Sequence, residues 1–212
     1  KLDLVAAYLS AGRRDEALAL LGRLPASEGG LRRRQLHVLA EVTGRSAAEA
    51  RAGVDRLLRA HPEDAELLTI GGGFLLSAGD ADAAARAFEA ALAAAPQQVN
   101  ARLGLAAVAI ARGDWSAAER ELRSAREADA TAERAYVGLA GLAVRRGDRA
   151  AAREWLEKAI AADPAVVESR LLLAELALLD ADLPRMESLL EQAQSVSRAR
   201  ASTLNRAGAL LL

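Results

Sequence analysis

The chain contains no cysteine, so it has no disulfide framework, no thiol nucleophile and no thiolate metal ligand, and periplasm and cytosol are equally open as its compartment. Aromatic residues make up only 3% of the sequence, and with β-branched residues also scarce a sheet-built fold is disfavoured. No charge sign is in excess: 28 basic groups face 29 acidic ones, for a net charge of -1. That balance lacks the surplus that selects nucleic acid or an anionic membrane, so neither is expected as a partner. Long hydrophobic runs are missing as well. The charge-free stretch from Leu67 to Gly79 holds three consecutive glycines and is shorter than the roughly 18 apolar residues of a membrane span, so no direct membrane insertion is expected. The sequence opens at Lys1 with no initiator Met, and a leader or lipid anchor removed earlier would leave no trace.

Alanine and leucine are abundant. Of 212 residues, 53 are Ala and 36 are Leu, the residues that head the helix-propensity scale. With 52% hydrophobic residues the chain can bury a core, as one or two ordinary domains or as one elongated array.

A fixed period decides between these. Gly79-Asp80, Gly113-Asp114 and Gly147-Asp148 recur every 34 residues, and Ala181-Asp182 continues the series with its glycine lost. Pro62, Pro96 and Pro164 share the grid, with Ala130 at the skipped proline. Ala84, Ala118 and Ala152 follow each Gly-Asp pair, and Ala91, Ala125, Ala159 and Ala193 come seven residues later. Phe88, Leu122, Leu156 and Leu190 sit between them, so these offsets of four and three residues share one helical face. Leu105-Ala106, Leu139-Ala140 and Leu173-Ala174 mark a second helical segment before each Gly-Asp pair. Each period therefore reads as a helical hairpin. Glycine ends the first helix with a positive φ, Asp caps the second, and proline closes it. Small residues at a constant phase let the two helices approach closely.

The pattern Leu105-Ala106, Gly113-Asp114, Ala118, Leu122 and Ala125, with its copies one period away, resembles the tetratricopeptide repeat (TPR). The resemblance implies an all-α fold, a right-handed α-solenoid of stacked hairpins, and covers the chain as a single solenoid over 1–212. Repeats fall at 65–98, 99–132, 133–166 and 167–200, and at 30–64 with one extra residue between Gly44 and Ala50. A partial copy at 1–29 keeps Gly12, Ala17 and Leu21 but ends its second helix early at Leu24-Pro25, ahead of the loop Ala26-Ser27-Glu28-Gly29-Gly30. Residues 201–212 read as the start of another first helix. His37 and Met186 replace small residues, which predicts that their hairpins splay. In Gly71-Gly72-Gly73 only the middle position requires a small residue. The triplet reads either as a bend or close approach of a bound chain, or as a tight helix contact in an Ala-rich core.

Catalytic patterns do not occur: the sequence has no HExxH pair, no GxSxG elbow and no GxxxxGK phosphate loop. His37 and His61 lie in different helical segments with no evident carboxylate or metal partner. His61, before Pro62, reads as a helix-end cation and His37 as a packing residue. The one Asp per repeat reads as a cap. Arg32-Arg33-Arg34, with Arg13 and Arg14 nearby, reads as a solvated helix face or a contact for an anionic partner, and Trp115 and Trp155 read as packing residues. The expectation is a non-enzymatic chain with no cofactor and no metal.

Stacked repeats present an extended concave surface suited to a peptide or partner protein, and in the family that this chain resembles the first helix of each hairpin lines it. The register assigns Thr69, Ile70, Gly73 and Leu76 to that surface, then Asn100, Leu103, Gly104, Ala107 and Ile110. Arg134, Val137, Gly138, Gly141 and Val144 follow, and then Glu168, Leu171, Leu172, Glu175 and Leu178. The floor is small and apolar, with Glu66, Asn100, Arg134 and Glu168 at one rim. These positions do not reproduce the Lys/Asn/Lys/Arg constellation of TPR proteins that clamp chaperone tails. The groove is expected to take an apolar helix or extended segment, either from a partner or from the protein's own flanks. The apolar end Ala209-Leu210-Leu211-Leu212 points either to an excised piece of a longer solenoid or to self-association through terminal helices. The Arg-rich, Lys-poor texture, 26 Arg against 2 Lys, is similar to bacterial TPR proteins of exopolysaccharide secretion and PEP-CTERM sorting. A recruiting domain of a multidomain enzyme is the alternative from another class. Sugar-polymer binding lacks an aromatic floor.

Overall fold

The computed structural model describes residues 1–25 and 29–209, with side chains described as far as Ala199. Among the described residues there are twelve helices and no strand: α1 (Leu2–Ser10), α2 (Arg14–Arg23), α3 (Gly30–Val42), α4 (Ala47–Ala60), α5 (Ala65–Ser77), α6 (Ala81–Ala94), α7 (Val99–Ala111), α8 (Trp115–Ala128), α9 (Glu133–Arg145), α10 (Arg149–Ala162), α11 (Glu168–Leu179) and α12 (Leu183–Ala209). The architecture is an all-α solenoid of helical hairpins. It divides into two compact units, Lys1–Glu121 and the chain from Leu122 onward, with the boundary inside α8.

One turn chemistry recurs in both units. After α5, the Gly79 N–H donates to Leu76 O at 3.0 Å and the Asp80 N–H to Leu75 O at 2.9 Å, the paired bonds that close a helix whose next residue is left-handed. Gly79 has φ 82, which glycine adopts without a Cβ penalty. Asp80 then accepts the Ala83 N–H at 3.0 Å and caps α6. Asp114, Asp148 and Asp182 repeat this cap on Ala117 at 2.9 Å, Ala151 at 2.9 Å and Arg185 at 3.1 Å. The last turn keeps the geometry without the glycine, since Ala181 sits at φ 57. Where the extra residue falls, Ser46 and Glu49 form a reciprocal capping box at the start of α4. At the skipped proline, Asp129 accepts from the Thr131 N–H at 2.8 Å and its hydroxyl at 2.7 Å, closing the turn with a side chain instead of a ring. Those two bonds hold the Asp129 carboxyl below its ordinary range.

In the first unit, Val5, Leu9, Ala17, Leu21, Leu36 and Ala40 form one core cluster, and a larger one gathers Val54, Leu58, Leu67, Leu75, Phe88 and Val108. In the second unit, Leu156, Leu173, Leu176 and Leu189 pack with Ala140, Ala143, Ala152 and Ala174. Met186 packs against this cluster, and α11 and α12 are as closely apposed as α9 and α10, so the splay expected there does not occur. A flexible thioether fills the space that alanine leaves elsewhere.

Two expectations need correction. The turn expected near residue 200 is absent, because α12 is one 27-residue helix running through it. Between Pro184 and Gly208 the sequence has no glycine, proline or aspartate to stop it. The glycine triplet is also used differently. A Cβ at Gly71 would lie 2.6 Å from Leu58 and one at Gly72 would lie 2.8 Å from Phe88, while Gly73 faces open space. Two glycines serve tight helix contacts, where one was expected. The loop residues Ala26, Ser27 and Glu28 and the apolar end Leu210 to Leu212 lie outside the described residues.

Candidate functional site

The first helices position the expected surface, and each unit uses them differently. In the first unit, Gly73 and Asn100 are exposed and Ala107 is half-buried, and Ile110 is 39% exposed. Thr69 turns its hydroxyl back to Ala65 O at 2.7 Å. Ile70 and Leu76 pack against the larger core cluster. Leu103 is buried, and a Cβ at Gly104 would collide with the Phe88 ring. Leu103 and Gly104 are therefore interior and seam residues, a correction to their assignment as groove floor. The assignment misplaced them because the five positions taken on α7 span more of the helix circumference than an open face can hold.

In the second unit the surface becomes a hollow of about 300 Å³ between α9, α10 and α11. Val137, Gly141, Val144, Leu172 and Glu175 line it together with Ala140, Leu156, Leu176 and Leu179. Leu178 does not line it although it is exposed; Leu179, one residue on, does. Nor is Gly138 free floor. Its Cβ would lie 2.6 Å from Leu122, so it is the counterpart of Gly104. Gly141 has open space around its Cβ position. Arg134, Glu168 and Leu171 are exposed. The two helices flanking the hollow are tied at their starts by Glu133, which accepts the Ser169 N–H and hydroxyl, both at 2.9 Å. Ser169 is fully buried, so this charge-assisted pair fixes α9 against α11.

The basic run is only in part a solvated face: Arg32 is exposed, while Arg33 and Arg34 are half-buried. Arg32 pairs with Asp3, and Arg33 donates to Pro25 O at 2.9 Å and Leu21 O at 3.3 Å. Arg34 holds Asp64 at 2.6 Å and Glu66 at 2.7 Å, and Arg14 donates to Ala40 O at 2.8 Å. Each arginine ties its helix to another part of the chain, a long-range pairing that sequence spacing could not show. Trp155 is covered by Tyr136, with ring centroids 6.3 Å apart, and by Lys158 at 4.7 Å and Arg123 at 5.3 Å from its centroid, which leaves it a packing residue. The two histidines come together at the α4–α5 loop, with ring centroids 6.2 Å apart. Among the described residues no group of three or more His, Cys, Asp or Glu is placed to hold a metal ion, and no helix is long and apolar enough to cross a membrane.

Three tetratricopeptide-repeat family profiles match the sequence, over residues 75–142, 36–99 and 133–166. The chain belongs to the tetratricopeptide-repeat family. Its hairpins are accordingly similar to those of solved structures. PilW, a widely conserved type IV pilus biogenesis factor, is 18% identical with a TM-score of 0.64 over 91% of this chain and 90% of that one. A tetratricopeptide-repeat protein from Parabacteroides merdae is 21% identical with a TM-score of 0.61 over 92% and 77%. MamA from Desulfovibrio magneticus is 20% identical with a TM-score of 0.58 over 80% and 94%. At these identities the likeness is one of fold. No curated protein matches the sequence. Tetratricopeptide-repeat chains are protein- and peptide-binding scaffolds built on such stacked helix faces.

Proposed function

We propose that this chain is a non-catalytic interaction scaffold that takes an apolar segment of a partner protein on its first-helix faces, with the hollow of the second unit as the anchor. The hollow carries the proposal. It is concave and apolar, framed by α9 and α11 in a fixed register, and edged by the exposed Val144 and Leu179. A Leu or Phe side chain withdrawn from water there contributes about 1.5–3 kcal/mol. Glu175, the one charged residue of the lining, favours a partner with a basic residue beside its apolar anchor. Oriented apolar anchors on a helix or extended segment suit such a groove.

The test compares capture from the source cell's lysate by the native chain and by Gly141→Arg, with circular dichroism as the control for folding. Gly141 has room for a side chain, so the variant blocks the hollow while keeping the helices. A partner retained by the native chain and lost by the folded variant is the expected result. Equal capture by both sinks the reading of this face as the recognition surface.

A further inference from the structure

The loop between α4 and α5 closes a small cavity in the first unit, far in sequence from the hollow above. It measures about 120 Å³ and is lined chiefly by Arg33, Arg34, His37, His61, Asp64 and Leu67. His37 projects from α3 and is half-buried, while His61 is the residue that ends α4. The two imidazoles face each other at 6.2 Å between centroids with a tilt of 46°. Neither has a hydrogen-bond partner among the described residues.

The remaining groups determine which ligand charge fits. Asp64 is the only carboxylate of the lining, and it is already committed. Its oxygens accept Arg34 Nε at 2.6 and 2.8 Å, and one of them also accepts the Leu67 N–H at 3.0 Å. Arg33 is different. It is anchored by two backbone carbonyls, Pro25 O at 2.9 Å and Leu21 O at 3.3 Å, which hold the guanidinium in place without neutralising it. The cavity thus offers positive charge and two idle imidazoles but no free carboxylate. A metal ion would need a third donor and would meet the Arg33 charge.

We propose that this cavity binds a phosphate group, held by the His37 and His61 rings and the fixed charge of Arg33. Two donors one turn apart on α3 and a third from the end of α4 suit a group with three strong acceptor oxygens better than a planar carboxylate with two. Burial, His61 and Arg33 push the His37 pKa down from its ordinary value, against a smaller opposing effect of Glu41. Of the other charged groups at the cavity, Arg34 is paired with Asp64 and, beyond the lining, with Glu66. An anion bound beside the His37 ring opposes these downward effects, so phosphate binding raises its pKa.

The experiment follows the histidine ring resonances of the 212-residue chain by NMR during titration with inorganic phosphate, at chloride-matched ionic strength. Saturable shifts of both rings are expected, with at least tenfold weaker binding in His61→Asn and unchanged circular dichroism. O-phosphoserine forms the second arm. Tighter binding than inorganic phosphate identifies a phosphate carried on a larger molecule, and weaker binding identifies the free anion. The proposal is overturned by the absence of a saturable shift in the native chain, by equal affinity in folded His61→Asn, or by acetate binding as well as phosphate. It is also overturned if zinc moves both rings stoichiometrically while phosphate moves neither.

Discussion

The same repeat position closes one seam and opens another. In the first unit the large residue of the second helix is Phe88, and it lies against glycines at Gly72 and Gly104 on the helices to either side. Ring and missing side chains are complementary, and Phe88 is 2% exposed. In the second unit its counterpart is Leu156, facing Ala140 and Leu172, and a hollow of about 300 Å³ remains. Total apolar volume does not decide whether a first-helix face is filled. What decides it is how bulk is divided between facing positions, because side chains larger than the gap hold the helices apart as they fill it.

Removing the ring tests the comparison most severely. Phe88→Ala is expected to destabilise the chain by about 3–5 kcal/mol, read as a lower urea midpoint, because it empties a closed seam that glycines cannot collapse into. An effect below about 1 kcal/mol would mean the seam is not close-packed. The next test is a pair with opposite signs. Gly104→Ala should cost about 1–3 kcal/mol through overpacking against Phe88, while Gly141→Ala, into open space, should stabilise by about 0.5–1 kcal/mol through lost chain entropy. In a Phe88→Leu background the Gly104→Ala cost should shrink, and additivity of the two changes would break the proposed complementarity.

At the last turn, Ala181→Gly should stabilise by roughly 0.5–1 kcal/mol, since it relieves the left-handed alanine that the other turns avoid. The smallest effect separates the units by pH. With its pKa held below the ordinary 6.5, His37 favours the folded state fully above that value and loses this contribution as pH falls through the lower, folded pKa. Chemical denaturation from pH 7 to pH 5 should show a slope that His37→Gln flattens, in buffers free of phosphate. An unchanged slope would assign the acid sensitivity to other groups.

Much of the fold was legible in the order of residues. The Gly-Asp pairs marked the turns because only a left-handed residue followed by an acceptor closes one helix and caps the next. Gly141, Val144 and Glu175 could be assigned to an open face because helical phase alone separates them from the core stripe. Leu103 and Gly104 could not, since their burial depends on how deep the neighbouring hairpin sits. The break expected near residue 200 failed because a repeat register was extended through a segment with no breaker in it.

The sequence by itself determined the hairpin, its length, its turns and its caps, all set by interactions within a few residues along the chain. Only the tertiary structure decided which small residues are tight contacts and which are floor, that each arginine of the basic run is anchored to another part of the chain, and that His37 and His61 share a cavity. Those outcomes depend on distances between helices. The distances follow from the summed volumes and charges of side chains about 30 residues apart, which no local pattern encodes.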